Sequence, residues 1–254
     1  VAWGFTNSYG DWADFVRVHW LDAEKTKYLD HKGRPQLVEI FDEPIIVKGE
    51  KDQPFSVRET IWGPVTEDLN ASYSLALQWV AQQPGALNVG MNDLARSQDL
   101  DSALQVAHRI GMPGQNLVIG DKNGRIAWRL TTQIPKRVGD CDKTAPVDPK
   151  DGCRWDGWLP GELNPVLVDP PSHRLWTANG RVVEGDWLEL AGNGGYALGA
   201  RAMQIRDGLF AKNRFTEKDL LNIQTDGRSL FLKRWWSLMN QRADGAAPGS
   251  ALRQ

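Results

Sequence analysis

The chain has 254 residues, 41% of them hydrophobic and 24% charged, enough to bury a sizeable core in one large domain or two small ones. Its 30 basic and 32 acidic residues leave a net charge of -2 with no block of like charge, which excludes a polybasic surface for nucleic acid or anionic lipid. The longest apolar runs, such as Leu37 to Phe41, are far too short to cross a bilayer, and no secretory signal is visible.

The first fifty residues predict strands over 1–7, 15–22 and the alternating stretch 36–50, with His31 to Pro35 as a turn. A further extended stretch over 54–65 ends at Gly63-Pro64. From Ser72 the apolar residues take helical spacing, predicting helices over 72–82 and 91–111, the second stopped by Gly111 and Pro113. Residues 116–132 predict a hairpin whose apolar arms are joined by Asp121-Lys122-Asn123-Gly124. Pro135 to Pro171, rich in Pro, Gly and Asp, predicts long irregular connections, and 174–179 a strand. A last helical region over 198–239 breaks near Asn213, where Thr216 and Asp219 offer a capping box. Residues 1–240 then form the folded unit and the small, polar 241–254 a flexible tail. Short strands joined by hairpins and interspersed with helices predict an α+β fold with mainly antiparallel sheets.

Cys141 and Cys153 bracket a turn-rich segment with little core of its own. A disulfide between them would restrict the unfolded chain and imply an oxidising compartment, the periplasm or the cell exterior. Two unpaired thiols are the alternative; a metal pair lacks a nearby histidine or further cysteine.

Ordinary catalytic motifs are missing: there is no G-x-S-x-G elbow, no P-loop and no H-E-x-x-H. His19, His31, His108 and His173 are scattered singly and read as surface or packing residues. The twelve tryptophans would suit an aromatic, carbohydrate-binding cleft. Yet Trp62, Trp79, Trp128, Trp155, Trp158 and Trp187 each sit in an apolar pattern that points to core or subsite-wall duty.

A more specific signal comes from segments in a fixed order: AWGFTNSYGDWADF at 2–15, RETIWGPV at 58–65, LALQWVA at 75–81 and GQNLVIGDKNGRIAWRLTTQIPKR at 114–137. DGWLPGELNPVLVDPPSHRLWTANGRV at 156–182 and GARAMQIRDGL with FTEKDLLNIQTD within 199–226 complete the series. Together they resemble the central part of the large subunit of the penicillin acylase (penicillin amidase) family of N-terminal-nucleophile hydrolases. The resemblance implies an αββα sandwich, here partial, and amide hydrolysis by acyl transfer to a serine freed as residue one, whose α-amine is the base. Residue one here is Val1, which has no hydroxyl, and AWGFTN belongs downstream of such a serine. The expectation is therefore a fragment, inactive alone, that lacks the small subunit and the rest of the large one and acts in the whole enzyme on a small acyl amide. A non-catalytic binding or structural module on the same scaffold is the alternative. Strands deprived of their neighbours would also make the fragment prone to self-association.

By the same resemblance Asn179 supplies an oxyanion-binding side-chain amide, Asn7 a second donor through its backbone N–H, and Arg201 the group that orients the active-site asparagine and the nucleophile. Asp11, the carbonyl of Ala13, Asp14 and Asp186, with Glu189 in reserve, match a structural calcium site. No cofactor is implied for catalysis, nor any nucleic-acid or membrane partner. Phe5, Trp12, Trp20 and Trp62 are candidates to line the acyl pocket.

Overall fold

The structure, a computed structural model, describes residues 1–245. In chain order the first half carries β1 (Ala2–Asn7), β2 (Ala13–His19), β3 (Lys27–Leu29), β4 (Pro35–Leu37), β5 (Glu39–Asp42), β6 (Ser56–Thr60), β7 (Gly63–Asp68), β8 (Tyr73–Trp79) and α1 (Leu100–Ala107). The second half carries β9 (Gln115–Gly120), β10 (Ile126–Thr131), β11 (Pro135–Val138), β12 (Arg154–Trp158), β13 (Val166–Val168), α2 (Asp186–Ala191), α3 (Ala200–Phe210), α4 (Glu217–Gln224) and α5 (Lys233–Asp244). All the strand ladders are antiparallel, as expected of an α+β fold.

One sheet has the order β1-β9-β10-β13, with β1 at its edge. The pleat of β9 and β10 sends alternate residues to opposite faces. Leu117, Ile119 and Ala127 meet Leu100, Ala103 and Ala107 of α1, while Trp128 and Leu130 meet Ile134, Val183 and Ala191 on the other face. The start of α1 is pinned twice: Asp99 and Ser102 form a capping box, and the Leu100 N–H donates to the Asp121 carboxylate in the hairpin turn at 3.2 Å.

The second sheet, β2-β8-β7-β6-β5, packs Val16, Val18 and Ala76 with Trp20, Tyr28 and Trp62. Within it the Trp20 indole donates to Ser74 Oγ at 2.7 Å and the Ile61 N–H to the Tyr28 hydroxyl at 2.8 Å. Gly63 opens β7 at φ +129°, where a Cβ would lie 2.2 Å from the Leu77 carbonyl oxygen, so glycine is required there.

Several expectations are corrected. Residues 73–79 form a strand, not a helix, because β2 and β7 pair with both edges of β8. Residues 174–179 form no strand; the Ala178 carbonyl is held by the side chains of Thr6 and Asn116 instead. The span 135–171 contains three short strands as well as loops. The alternating stretch 36–50 yields the end of β4 and all of β5, and most of its apolar side chains face outward, Ile46 being 83% exposed, while Val38 packs against the core of the second sheet. The expected hairpin over 116–132 and the Thr216–Asp219 capping box are both present. Helix α5 runs through Asp244, four residues beyond the expected end of the folded unit, and the rest of the expected tail, 246–254, lies outside the described residues.

Leu117 has no exposed surface in the cluster beneath α1. Leu117→Ala is expected to lower the unfolding free energy by about 2–5 kcal/mol in denaturant titration. A loss under about 1 kcal/mol, the level typical of peripheral substitutions, would contradict this account of the core.

Candidate active site

Three residues separated widely in sequence meet at the end of β1. The Asn179 side-chain amide donates to the Asn7 carbonyl oxygen at 2.9 Å, and Arg201 donates to Asn179 Oδ1 at 2.6 Å. The Ser8 N–H points to the Gly114 carbonyl just before the start of β9. Strand alternation therefore turns the N–H and C=O of Asn7 the other way, to the open edge of β1, where the Asn179 amide lies. The Asn7 side chain is used separately, its Oδ1 accepting from Gln115 at 2.9 Å.

A buried network sets this meeting. Asn116 Nδ2 donates to Thr6 Oγ1 at 3.1 Å and to the Ala178 carbonyl at 3.3 Å, Thr6 Oγ1 donates to the same carbonyl at 3.0 Å, and the Trp128 indole donates to Asn116 Oδ1 at 3.0 Å. Beyond Asn179 the chain is held by a bridge between Gly180 and Ala197, with the Ala197 N–H donating to the Asn179 carbonyl at 3.0 Å. Gly199 follows as the N-cap of α3, and Arg201 falls in that helix's first turn.

Next to Asn7 lies a cavity of about 240 Å³ lined by Trp12, Trp79, Leu87 and Met112 among others. Of the four aromatic candidates only Trp12 lines it. Phe5 packs against the core under α1, and Trp20 and Trp62 belong to the core of the second sheet. A larger cleft of about 780 Å³ is lined by Trp62, Trp155 and Trp158 with His31, Gln78 and Arg154, and shares no lining residue with the Asn7 cavity. Among the other tryptophans Trp128 is core at 4% exposure, whereas Trp79 and Trp187 are 44% and 39% exposed. His19 is engaged with Asp148 at 2.9 Å rather than with any nucleophile.

The calcium expectation does not fit the arrangement found. Both Asp14 oxygens accept from Arg137, at 3.0 Å each, and Oδ2 also accepts from the Trp155 indole. The Asp11 carbonyl accepts from the same guanidinium at 2.9 Å. Ala13 lies in β2 opposite Trp79, and Asp186 is an exposed residue at the start of α2. Among the described residues no three acidic, histidine or cysteine side chains converge as a metal-binding group. Burial raises the Asp11 carboxyl above the usual carboxylate range against the pull of Arg137, with the Asp14 charge adding to the rise and Lys143 opposing it. Cys141 and Cys153 are joined as a disulfide, with an S–S distance of 2.05 Å.

Sequence reasoning did not single out Thr6, Asn116 or Arg137, and named Trp155 only as one of six tryptophans in apolar patterns. Thr6 and Asn116 meet Ala178 across 172 and 62 residues, and Arg137 and Trp155 meet Asp14 across 123 and 141, separations that no local spacing marks.

The penicillin amidase family model matches residues 1–254. An acyl-homoserine lactone acylase of Pseudomonas fluorescens is 27% identical over 91% of the chain and 29% of its own length. A penicillin acylase 2 proenzyme of a Pseudomonas species is 27% identical over the whole chain and 33% of its own length. The chain thus spans about a third or less of the curated relatives it matches. Among solved structures, a thermostable penicillin G acylase from Alcaligenes faecalis superposes with a TM-score of 0.76 at 18% identity, covering 98% of this chain and 45% of that one. The fold is therefore that of an N-terminal-nucleophile hydrolase.

Asn116→Leu removes the acceptor of a buried indole and a donor to the Ala178 carbonyl. It is expected to cost about 1–3 kcal/mol in chemical denaturation; an unchanged unfolding midpoint would show that the network does not hold the 174–181 segment.

Proposed function

This chain belongs to the penicillin amidase family, and from that premise we propose that the protein containing it hydrolyses a small acyl amide by acyl transfer to an N-terminal serine outside residues 1–254. The observation that carries the reading is the junction of the Asn7 backbone, the Asn179 amide and Arg201 at one end of β1. The serine hydroxyl attacks the amide carbon, and the α-amine of the same residue takes its proton. The oxyanion that forms is held by the Asn7 N–H and by the second N–H of Asn179, two donors fixed before reaction begins. Collapse of the tetrahedral species returns the proton to the departing amine, and water then releases the acyl group from the serine.

Arg201 has a defined part in this scheme. A side-chain amide can face either way, and a flip would present an oxygen to the oxyanion. The charge-assisted bond from Arg201 to Oδ1 keeps the nitrogen side free for the substrate. The small, largely apolar cavity beside Asn7 is the proposed seat for the acyl group. The relatives named as penicillin and acyl-homoserine lactone acylases support the acyl-amide class of substrate. In the whole enzyme the small subunit and the remainder of the large one complete the site, and this chain alone is inactive. The disulfide supports a periplasmic or extracellular location.

The test uses the full-length protein and a chromogenic acyl amide. Asn179→Ala is expected to lower kcat by about 100- to 1000-fold with little change in KM, and Arg201→Ala to act in the same direction. Full turnover by Asn179→Ala would refute the oxyanion assignment, and turnover by residues 1–254 alone would refute the missing nucleophile.

A further inference from the structure

The oxygens offered by the turn after β1 and by the start of β2 already surround a positive charge. Arg137 reaches across from β11 and forms a fork on Asp14, Nε to Oδ2 and Nη2 to Oδ1, while Nη2 also binds the Asp11 carbonyl. Both side chains of the ion pair are only 8% exposed. The Trp155 indole completes the shell by donating to Asp14, and its ring lies 5.5 Å from the guanidinium carbon. We infer that Arg137 acts as a built-in cation that replaces a bound metal ion at this turn, cross-linking it to the β11–β12 hairpin and leaving calcium no seat between Asp11 and Asp14.

The chemistry supports substitution rather than coexistence. A calcium ion takes roughly six to eight oxygens, and here three of the available oxygens are hydrogen-bonded to a guanidinium. A divalent charge among them would be driven off by the adjacent guanidinium in this weakly screened setting. A second cation is near: Lys143, whose charge is felt at Asp11, donates to the Glu189 carbonyl at 2.6 Å. Asp14 cannot simply exchange one partner for the other, because Arg137 would then be a buried charge without a counterion.

The hairpin that delivers the guanidinium is itself stapled. Arg137 and Trp155 are direct partners in the β11–β12 ladder, and the disulfide from Cys141 to Cys153 closes the strands just beyond them. Gly139 permits the close approach, since a Cβ there would meet the Gly152 carbonyl oxygen at 2.5 Å. An exchangeable metal is thus replaced by a cation that is covalently part of the chain.

The experiment is calcium titration by calorimetry on the full-length protein and its Asp14→Asn variant, with melting temperatures of Arg137→Met and Arg137→Lys measured beside it. Equal calcium stoichiometry in the parent and Asp14→Asn is expected; loss of one bound ion in the variant would overturn the inference. Arg137→Met is expected to melt several degrees lower, with Arg137→Lys recovering only part, because an ammonium cannot form the fork. Arg137→Met melting like the parent would equally overturn it. Neither readout depends on catalytic activity, so the outcome is separate from that of the amidase reading.

Discussion

The side chain of Asn116 has no exposed surface, yet it makes three hydrogen bonds in the middle of a sheet. Away from water, each of those groups would be costly to leave unpaired, so the amide, the Trp128 indole, Thr6 and the Ala178 carbonyl constrain one another closely. The consequence runs one residue further along each chain segment. Thr6 is followed by Asn7 and Ala178 by Asn179, so the buried contact sets the register of the half-exposed contact beside it. A segment with no ladder of its own thereby acquires a definite place against β1. The precision of the candidate site is inherited from the core.

Much of this architecture was legible in the sequence where local chemistry decides the outcome. The β9–β10 hairpin follows from two apolar arms around Asp121 to Gly124, and the start of α4 from Thr216 and Asp219. Legibility failed where tertiary context overrides local pattern. Leu75, Ala76 and Leu77 are good helix formers, but a short apolar run has no period that distinguishes helix from buried strand. Here the two neighbouring strands decided it, burying Ser74, Leu75 and Ala76. The segment 174–179 failed the other way: it reads as a strand, but the Ala178 carbonyl is taken by side chains and the Asn179 carbonyl by an isolated backbone contact rather than by a neighbouring strand.

The same division holds for the site. Asn7, Asn179 and Arg201 could be named because family resemblance supplies long-range information that spacing does not, and the structure brings those three together. At Asp11 and Asp14 resemblance supplies the carboxylates but not the guanidinium that the structure places on them. The deciding residue, Arg137, lies 123 positions from Asp14 and looks unremarkable in its own segment. Residue types at a site are thus weaker evidence than the charges that fold back onto them.

The edge position of β1 carries a further consequence. Asn7 turns its N–H toward an unpaired strand edge, and by the same alternation so do Phe5 and Trp3. A strand that docks on that edge is therefore aligned by main-chain hydrogen bonding before any side-chain recognition occurs. Sliding it by one residue would invert every side chain, and sliding it by two would displace each by roughly 7 Å along the edge. Completing the sheet and aiming a reactive group at the donors would then be a single event, with backbone pairing serving as the ruler.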